Sequence, residues 1–142
     1  MNIILSALCG LVLIMTAGCT PVPVAVSIDE TMHDESEMTQ REFIEAKIIE
    51  YFPNNTREML AIASCESRGF VHREADGRLI KNPKSSASGV FQVLLYTHRP
   101  DYERMGLDMQ NIDDYMRFVQ HLRRTQGRSP WFPSQDCWRE KI

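Results

Sequence analysis

From residue 43 onward, apolar residues recur at helical spacing as Phe43, Ile44, Ile48, Tyr51 and Phe52, which predicts a first helix. Thr39 followed by Glu42 is a capping-box pattern for its start, and Pro53 stops it at about Phe52. Asn55 with Glu58 caps a second helix running to about Ser67, with Met59, Ile62 and Ala63 on its apolar stripe. The helical period then lapses. Asp76-Gly77 between Phe70-Val71 and Leu79-Ile80 signals a β-hairpin, and Ser85 to Gly89 is a run of small residues. Val90-Phe91-Gln92-Val93 reads as the entry to another helix, Pro100 as the opening of a short helix ended by Gly106. A last long helix follows, with Asn111 as cap, Ile112, Tyr115, Val119 and Leu122 on its buried face, and Arg123 and Arg124 at its C-terminal dipole end. The fold class expected is α+β, predominantly helical, with a small hairpin after the second helix.

The stripe of the second helix extends by period to position 66, which is Glu66. A carboxyl in register with an apolar face is at least partly desolvated, which favours its neutral form and raises its pKa. A carboxyl still protonated near neutral pH is what a general acid requires. The competing reading is a helix-end glutamate turned to water or paired with Arg68.

The beginning of the chain has a different character. Ile3 to Ala17 is an uncharged apolar run, too short to span a bilayer, and ends in Thr16-Ala17-Gly18-Cys19. Small residues before a cysteine resemble the lipobox of bacterial lipoproteins, which implies lipidation of Cys19. An ordinary cleaved signal and an uncleaved anchor are the alternatives, since no Lys or Arg precedes the run and Thr16 stands where Leu is usual. By the same resemblance Thr20, in place of an Asp, implies an outer-membrane address facing the periplasm. Residues 20–38 open with two prolines, turn acidic and lack an apolar period, so they read as a flexible tether, about 25 Å in r.m.s. span. The expected division is therefore signal peptide 1–18, tether 19–38 and folded domain 39–142.

Charge sharpens that boundary. Five acids and no Lys or Arg precede Arg41, so the remainder holds all 16 bases and is only weakly basic. That balance argues against a nucleic-acid partner. Of four cysteines, Cys65 and Cys137 remain in the body of an exported chain, which suggests one disulfide, with two buried thiols as the alternative. The four histidines are scattered singly, with no metal-ligand spacing, so neither metal nor cofactor is expected.

Cys65-Glu66-Ser67, the hairpin, Ser88-Gly89-Val90-Phe91-Gln92, Gly127 to Trp131 and Ser134-Gln135-Asp136-Cys137-Trp138 follow in order. Together they resemble the lysozyme-like, soluble lytic transglycosylase domain, over about residues 56–138. The resemblance implies cleavage of the β-1,4 bond between N-acetylmuramic acid and N-acetylglucosamine in peptidoglycan. Glu66 would be the single acid and base, and the product would carry a 1,6-anhydro ring. It further implies that Ser67 supports Glu66 and that Ser88, Gly89, Phe91 and Gln92 line the sugar cleft. The chain departs from the family at Leu94, Tyr115 and Arg123, where Asn, Asn and Tyr are expected, so Tyr115 or Asn111 takes a place among the substrate contacts. Trp131 and Trp138 read as core rather than sugar platforms. A two-carboxylate hydrolase would need Glu74 or Asp76 as its second acid, and Asp76 more simply belongs to the turn. The partner expected is a glycan strand, and the chain is expected to act as a monomer. The other readings are a lysozyme-type hydrolase, a glycan-binding lipoprotein without turnover, and a scaffold or inhibitor.

Overall fold

Thr39 and Glu42 exchange both bonds of a capping box, Glu42 N–H to Thr39 Oγ1 at 3.3 Å and Thr39 N–H to Glu42 Oε2 at 2.9 Å, and open α1 (Gln40–Tyr51). This is the first element of a computed structural model that describes residues 38–142. The expected signal peptide 1–18, Cys19 and the tether through residue 37 lie outside the described residues. Helix α1 buries Ile44 and Ile48, and α2 (Thr56–Glu66) buries Met59, Ala61, Ile62 and Ala63. The expected Asn55 cap is not made: its side chain bonds no helix N–H. Glu58 turns instead to Arg123 and Arg128, at 3.0 and 2.6 Å, and ties α2 to the C-terminal part of the chain.

The hairpin expected at Asp76-Gly77 forms as a bridge between Arg73 and Leu79, closed by Glu74 N–H to Arg78 O at 2.8 Å. The chain then doubles back twice more. Lys81 bridges Ser88, and β1 (Ala87–Ser88) pairs antiparallel with β2 (Val93–Leu94). Residues 90–92, expected to enter a helix, form the turn between these strands, because Gly89 and Gln92 both adopt positive φ, 72° and 47°. Helix α3 (Leu95–Arg104) starts before Pro100, which lies inside it and not at its opening. An exposed helix face tolerates this, since water can satisfy the carbonyl that proline leaves unbonded. Gly106 follows the helix, as expected.

Helix α4 (Ile112–Gln126) carries Tyr115, Met116, Phe118, Val119 and Leu122 into the core, and Gly127 caps its end at φ 64°. A 3-10 turn (Ser129–Ser134) and α5 (Gln135–Arg139) complete the chain. Helix α1 packs on α2 and α4, while α2 packs on α5 and the 3-10 turn. The result is a predominantly helical α+β fold with one small two-stranded sheet. No described helix is long and apolar enough to cross a membrane.

Two features lock the tail beneath α2. Cys65 and Cys137 form a disulfide with Cα atoms 6.1 Å apart, and closing so long a loop stabilises by about 4 kcal/mol in the chain-entropy description. Trp131 and Trp138 are buried, as expected for core residues, and their indole N–H groups donate to Phe91 O at 3.0 Å and Trp131 O at 2.9 Å. Each satisfied donor lets a large aromatic surface leave water without an orphaned polar atom.

The turn at residues 88–92 is held from below. The Tyr115 hydroxyl donates to Ser88 O at 2.9 Å and accepts from Phe91 N–H at 3.1 Å. Beside it, His72 accepts the Val90 N–H at Nδ1 at 3.2 Å and meets the Tyr115 ring edge-on at 4.8 Å. Burial, reinforced by the Arg73 charge, keeps His72 neutral, with its pKa pushed down to about 4. A Cβ on Gly89 would lie 2.7 Å from Tyr115 Cζ. Gly89→Ala therefore combines a left-handed backbone with an overpacked contact, and a loss of about 2–4 kcal/mol is expected in urea denaturation. An unchanged midpoint would show that the turn tolerates a side chain there.

Candidate active site

Helix α2 ends at Glu66 because Ser67 caps it and the following residues, Arg68, Gly69 and Phe70, take positive φ. That sharp exit leaves Glu66 in the lining of a cleft of about 480 Å³, together with Gln92, the cations Arg68 and Lys81, and the apolar Val71 and Ile80. Left-handed backbone at a non-glycine residue is costly and tends to gather at functional sites. Two of the three such residues, Arg68 and Gln92, face this cleft.

The Glu66 carboxyl is half-buried, and its one protein partner is Ser134, whose hydroxyl donates to Oε1 at 2.5 Å. Burial raises the Glu66 pKa, and the Ser134 hydrogen bond draws it partly back. The same Ser134 hydroxyl lies 3.1 Å from Trp131 O. One hydroxyl proton serves one acceptor at a time. With Glu66 ionised it turns to the carboxylate. With Glu66 protonated it is free to donate to the Trp131 carbonyl and to accept a hydrogen bond from the carboxyl O–H. The pair is thus satisfied in both protonation states, which a group acting first as acid and then as base requires.

The disulfide fixes this contact. Cys65 precedes Glu66, and Cys137 lies one helical turn beyond Ser134, so the bridge holds the end of α2 against the segment that supplies the hydroxyl. Among the described residues Glu66 is the only carboxylate lining the cleft. Asp76 is used by its own turn, accepting Arg78 N–H at 3.1 Å and Arg78 Nε–H at 2.7 Å, and Glu74 is exposed outside the cleft.

The residues expected at the site divide sharply. Gln92 joins Glu66 in the cleft, its amide held by a 3.0 Å bond to Gly89 O. Ser67 also borders the cleft, but its hydroxyl is spent on Ala63 O at 2.8 Å, so the support expected from Ser67 comes from Ser134. Phe91 is fully buried between Phe52 and Trp131, with ring centroids 6.0 Å from each, and belongs to the core. Tyr115 has no exposed surface and acts under the 88–92 turn, as does buried Gly89, whose missing side chain makes room for it. Ser88 is buried and faces a neighbouring hollow. Asn111 caps α4, accepting from the backbone of Asp113 and Asp114 at 2.9 and 3.2 Å, and lies with Gln40 and His72 in a different depression. Arg68 makes no ion pair with Glu66 and lines the cleft instead. Lys81, Asn82 and Pro83 carried no sequence signal for the site. Among the described residues no three His, Cys, Asp or Glu side chains converge as a metal site.

A raised carboxyl pKa has a thermodynamic signature. The folded state holds the Glu66 proton more tightly than the unfolded chain, so stability falls as pH rises from the unfolded pKa through the folded one. Glu66→Gln removes that cost while keeping an acceptor for Ser134. The variant is expected to melt higher than the parent at pH 8, with the gap closing toward pH 4. Both proteins share the acid sensitivity of His72, so the difference isolates Glu66. A gap that is absent or grows on acidification would contradict the assignment. Set against known protein families, curated proteins and solved structures, the chain matches none.

Proposed function

We propose that this chain is a peptidoglycan lytic transglycosylase of lysozyme-like fold. The observation that carries the reading is a single half-buried carboxyl, Glu66, poised on Ser134 in a cleft that holds no second carboxylate among the described residues. Hydrolysis by the two-carboxylate route needs a partner acid about 5–9.5 Å from the first. A transglycosylase does not. Glu66 donates its proton to the bridging oxygen as the C1–O bond breaks, and the departing strand leaves with that proton. The carboxylate then takes the proton of the sugar's own C6 hydroxyl while O6 bonds to C1, which restores neutral Glu66 and closes a 1,6-anhydro ring. No water is consumed and no cofactor is called for.

Each side chain has a part in this scheme. Burial keeps the Glu66 proton available for the first half, and Ser134 stabilises the carboxylate for the second. Gln92 offers an amide that can both donate to and accept from a hydroxyl or acetamido group, and Val71 and Ile80 give the sugar an apolar bed. The order of signatures from Cys65 to Trp138 supports the same assignment. A glycan-binding protein without turnover is the second reading, favoured by the withdrawal of Asn111 and Tyr115 from the cleft. It leaves unexplained why a binder would hold a desolvated carboxyl in the cleft wall.

Digestion of purified peptidoglycan is expected to release muropeptides one water lighter than hydrolytic products. Glu66→Gln should lower the rate by about 10²–10⁴-fold. Ser134→Ala, by removing the bond that lowers the Glu66 pKa, should move the alkaline limb of the pH–rate profile upward. Ordinary reducing ends would make the protein a hydrolase, and a folded protein releasing nothing from several peptidoglycans would favour the binder.

The sequence preceding the described residues supports an envelope lipoprotein, lipidated on Cys19 and held at the periplasmic face of the outer membrane. Cys19→Ala is expected to move the protein from the membrane to the soluble envelope fraction. Retention in the membrane would sink the assignment of that cysteine.

A further inference from the structure

Beyond the acid and Gln92, two cations define the chemical character of the cleft. Arg68 and Lys81 both line it, and both are exposed. Among the described residues all ten ion pairs are made by other side chains, so neither cation has a carboxylate partner among those residues. Arg68 stands in left-handed backbone at φ 51°, two residues after the acid. This conformation is strained for arginine and is held where the chain leaves α2. Lys81 comes from the segment that follows the hairpin, where it bridges Ser88. It also lines an adjoining hollow of about 660 Å³ with the exposed Tyr96, where Arg99 is paired with Glu103 at 3.7 Å and leaves Lys81 as the unpaired cation.

A neutral polysaccharide gives unpaired cations nothing to bind. The peptide branches of peptidoglycan carry free carboxylates, and they leave the glycan at alternate sugars. Cations placed against the reacting carboxyl itself would favour its ionised form and spoil a general acid. Glu66 feels burial and the Ser134 hydroxyl, with no cation among the causes acting on it. The positive charge is therefore available to substrate without discharging the acid.

We propose that Arg68 and Lys81 are specificity residues that bind carboxylates of the peptide branches, so the cleft selects glycan whose peptide carboxylates are free over glycan in which they are blocked. The inference rests on the reading of the cleft as a peptidoglycan site, and binding tests it separately from turnover. Full-length Glu66→Gln protein in detergent is co-sedimented with intact sacculi and with sacculi whose carboxylates have been converted to neutral amides by carbodiimide coupling to methylamine. It is expected to bind intact sacculi about five- to tenfold more tightly, as two exposed ion pairs allow. Adding Arg68→Gln and Lys81→Gln should erase the preference, while Arg68→Lys with Lys81→Arg should keep it. Should the neutralised variant fold poorly, 0.5 M salt supplies the same test on the parent, because exposed pairs are screened. Equal binding to both materials, no binding to either, or a preference that survives neutralisation or salt would overturn the proposal. A wild-type protein that releases no muropeptides while the preference holds would remove the catalytic reading and leave carboxylate recognition standing.

Discussion

The candidate site depends on keeping a carboxyl half out of water at a helix end, and the tail packed against that helix serves this constraint. A lone glutamate at the C-terminus of an exposed helix would ionise near its ordinary pKa. Here the 3-10 turn and α5 cover one side of it, through two buried tryptophans and the Cys65–Cys137 bridge. The covering segment also brings the one hydrogen bond that an ionised Glu66 needs. Burial and rescue thus come from the same stretch of chain. A looser tail would lose the raised pKa and the Ser134 contact together.

How much of this was legible in the sequence follows from the range of each interaction. Helices α1, α2 and α4 show in the apolar period because their burial is one-sided, and the Thr39 capping box is a local pattern that reads correctly. Position 66 was visible for the same reason, as a charged residue in an apolar register. Val90 to Val93 was misread because four residues are too few to separate a helical period from a strand or turn. What decides that segment is Tyr115, more than twenty residues later, bonding Ser88 and Phe91. Ser134 stood in a recognisable motif, yet its role required contact with a residue 68 positions away. Asn111 forms the helix cap read from the sequence, and this use and the burial of Phe91 both compete with a place in the cleft. Both residue types suit a sugar cleft, but a helix cap and a core claimed them first.

Local strain follows a related logic. Arg68, Phe70 and Gln92 take conformations better suited to glycine, and the first and last of these open onto the cleft. Strain of this kind persists only where surrounding contacts outweigh it. For Gln92 those contacts are the amide bond to Gly89 O and the buried clasp of Tyr115 and His72 beneath the turn. The rigid base and the strained rim form one assembly. The core below sets where the polar groups above can stand.

The fit between Gly89 and Tyr115 carries a consequence for how such a protein changes over time. The phenol fills the space where a side chain at position 89 would begin. A larger residue at 89 is admissible only beside a smaller one at 115, and a smaller residue at 115 leaves both the Ser88 carbonyl and the Phe91 amide in need of another partner. The two positions are therefore one unit of inheritance. Among descendants of this sequence they should vary together or not at all, with any exchange accompanied by a new polar group or a buried water beneath the turn.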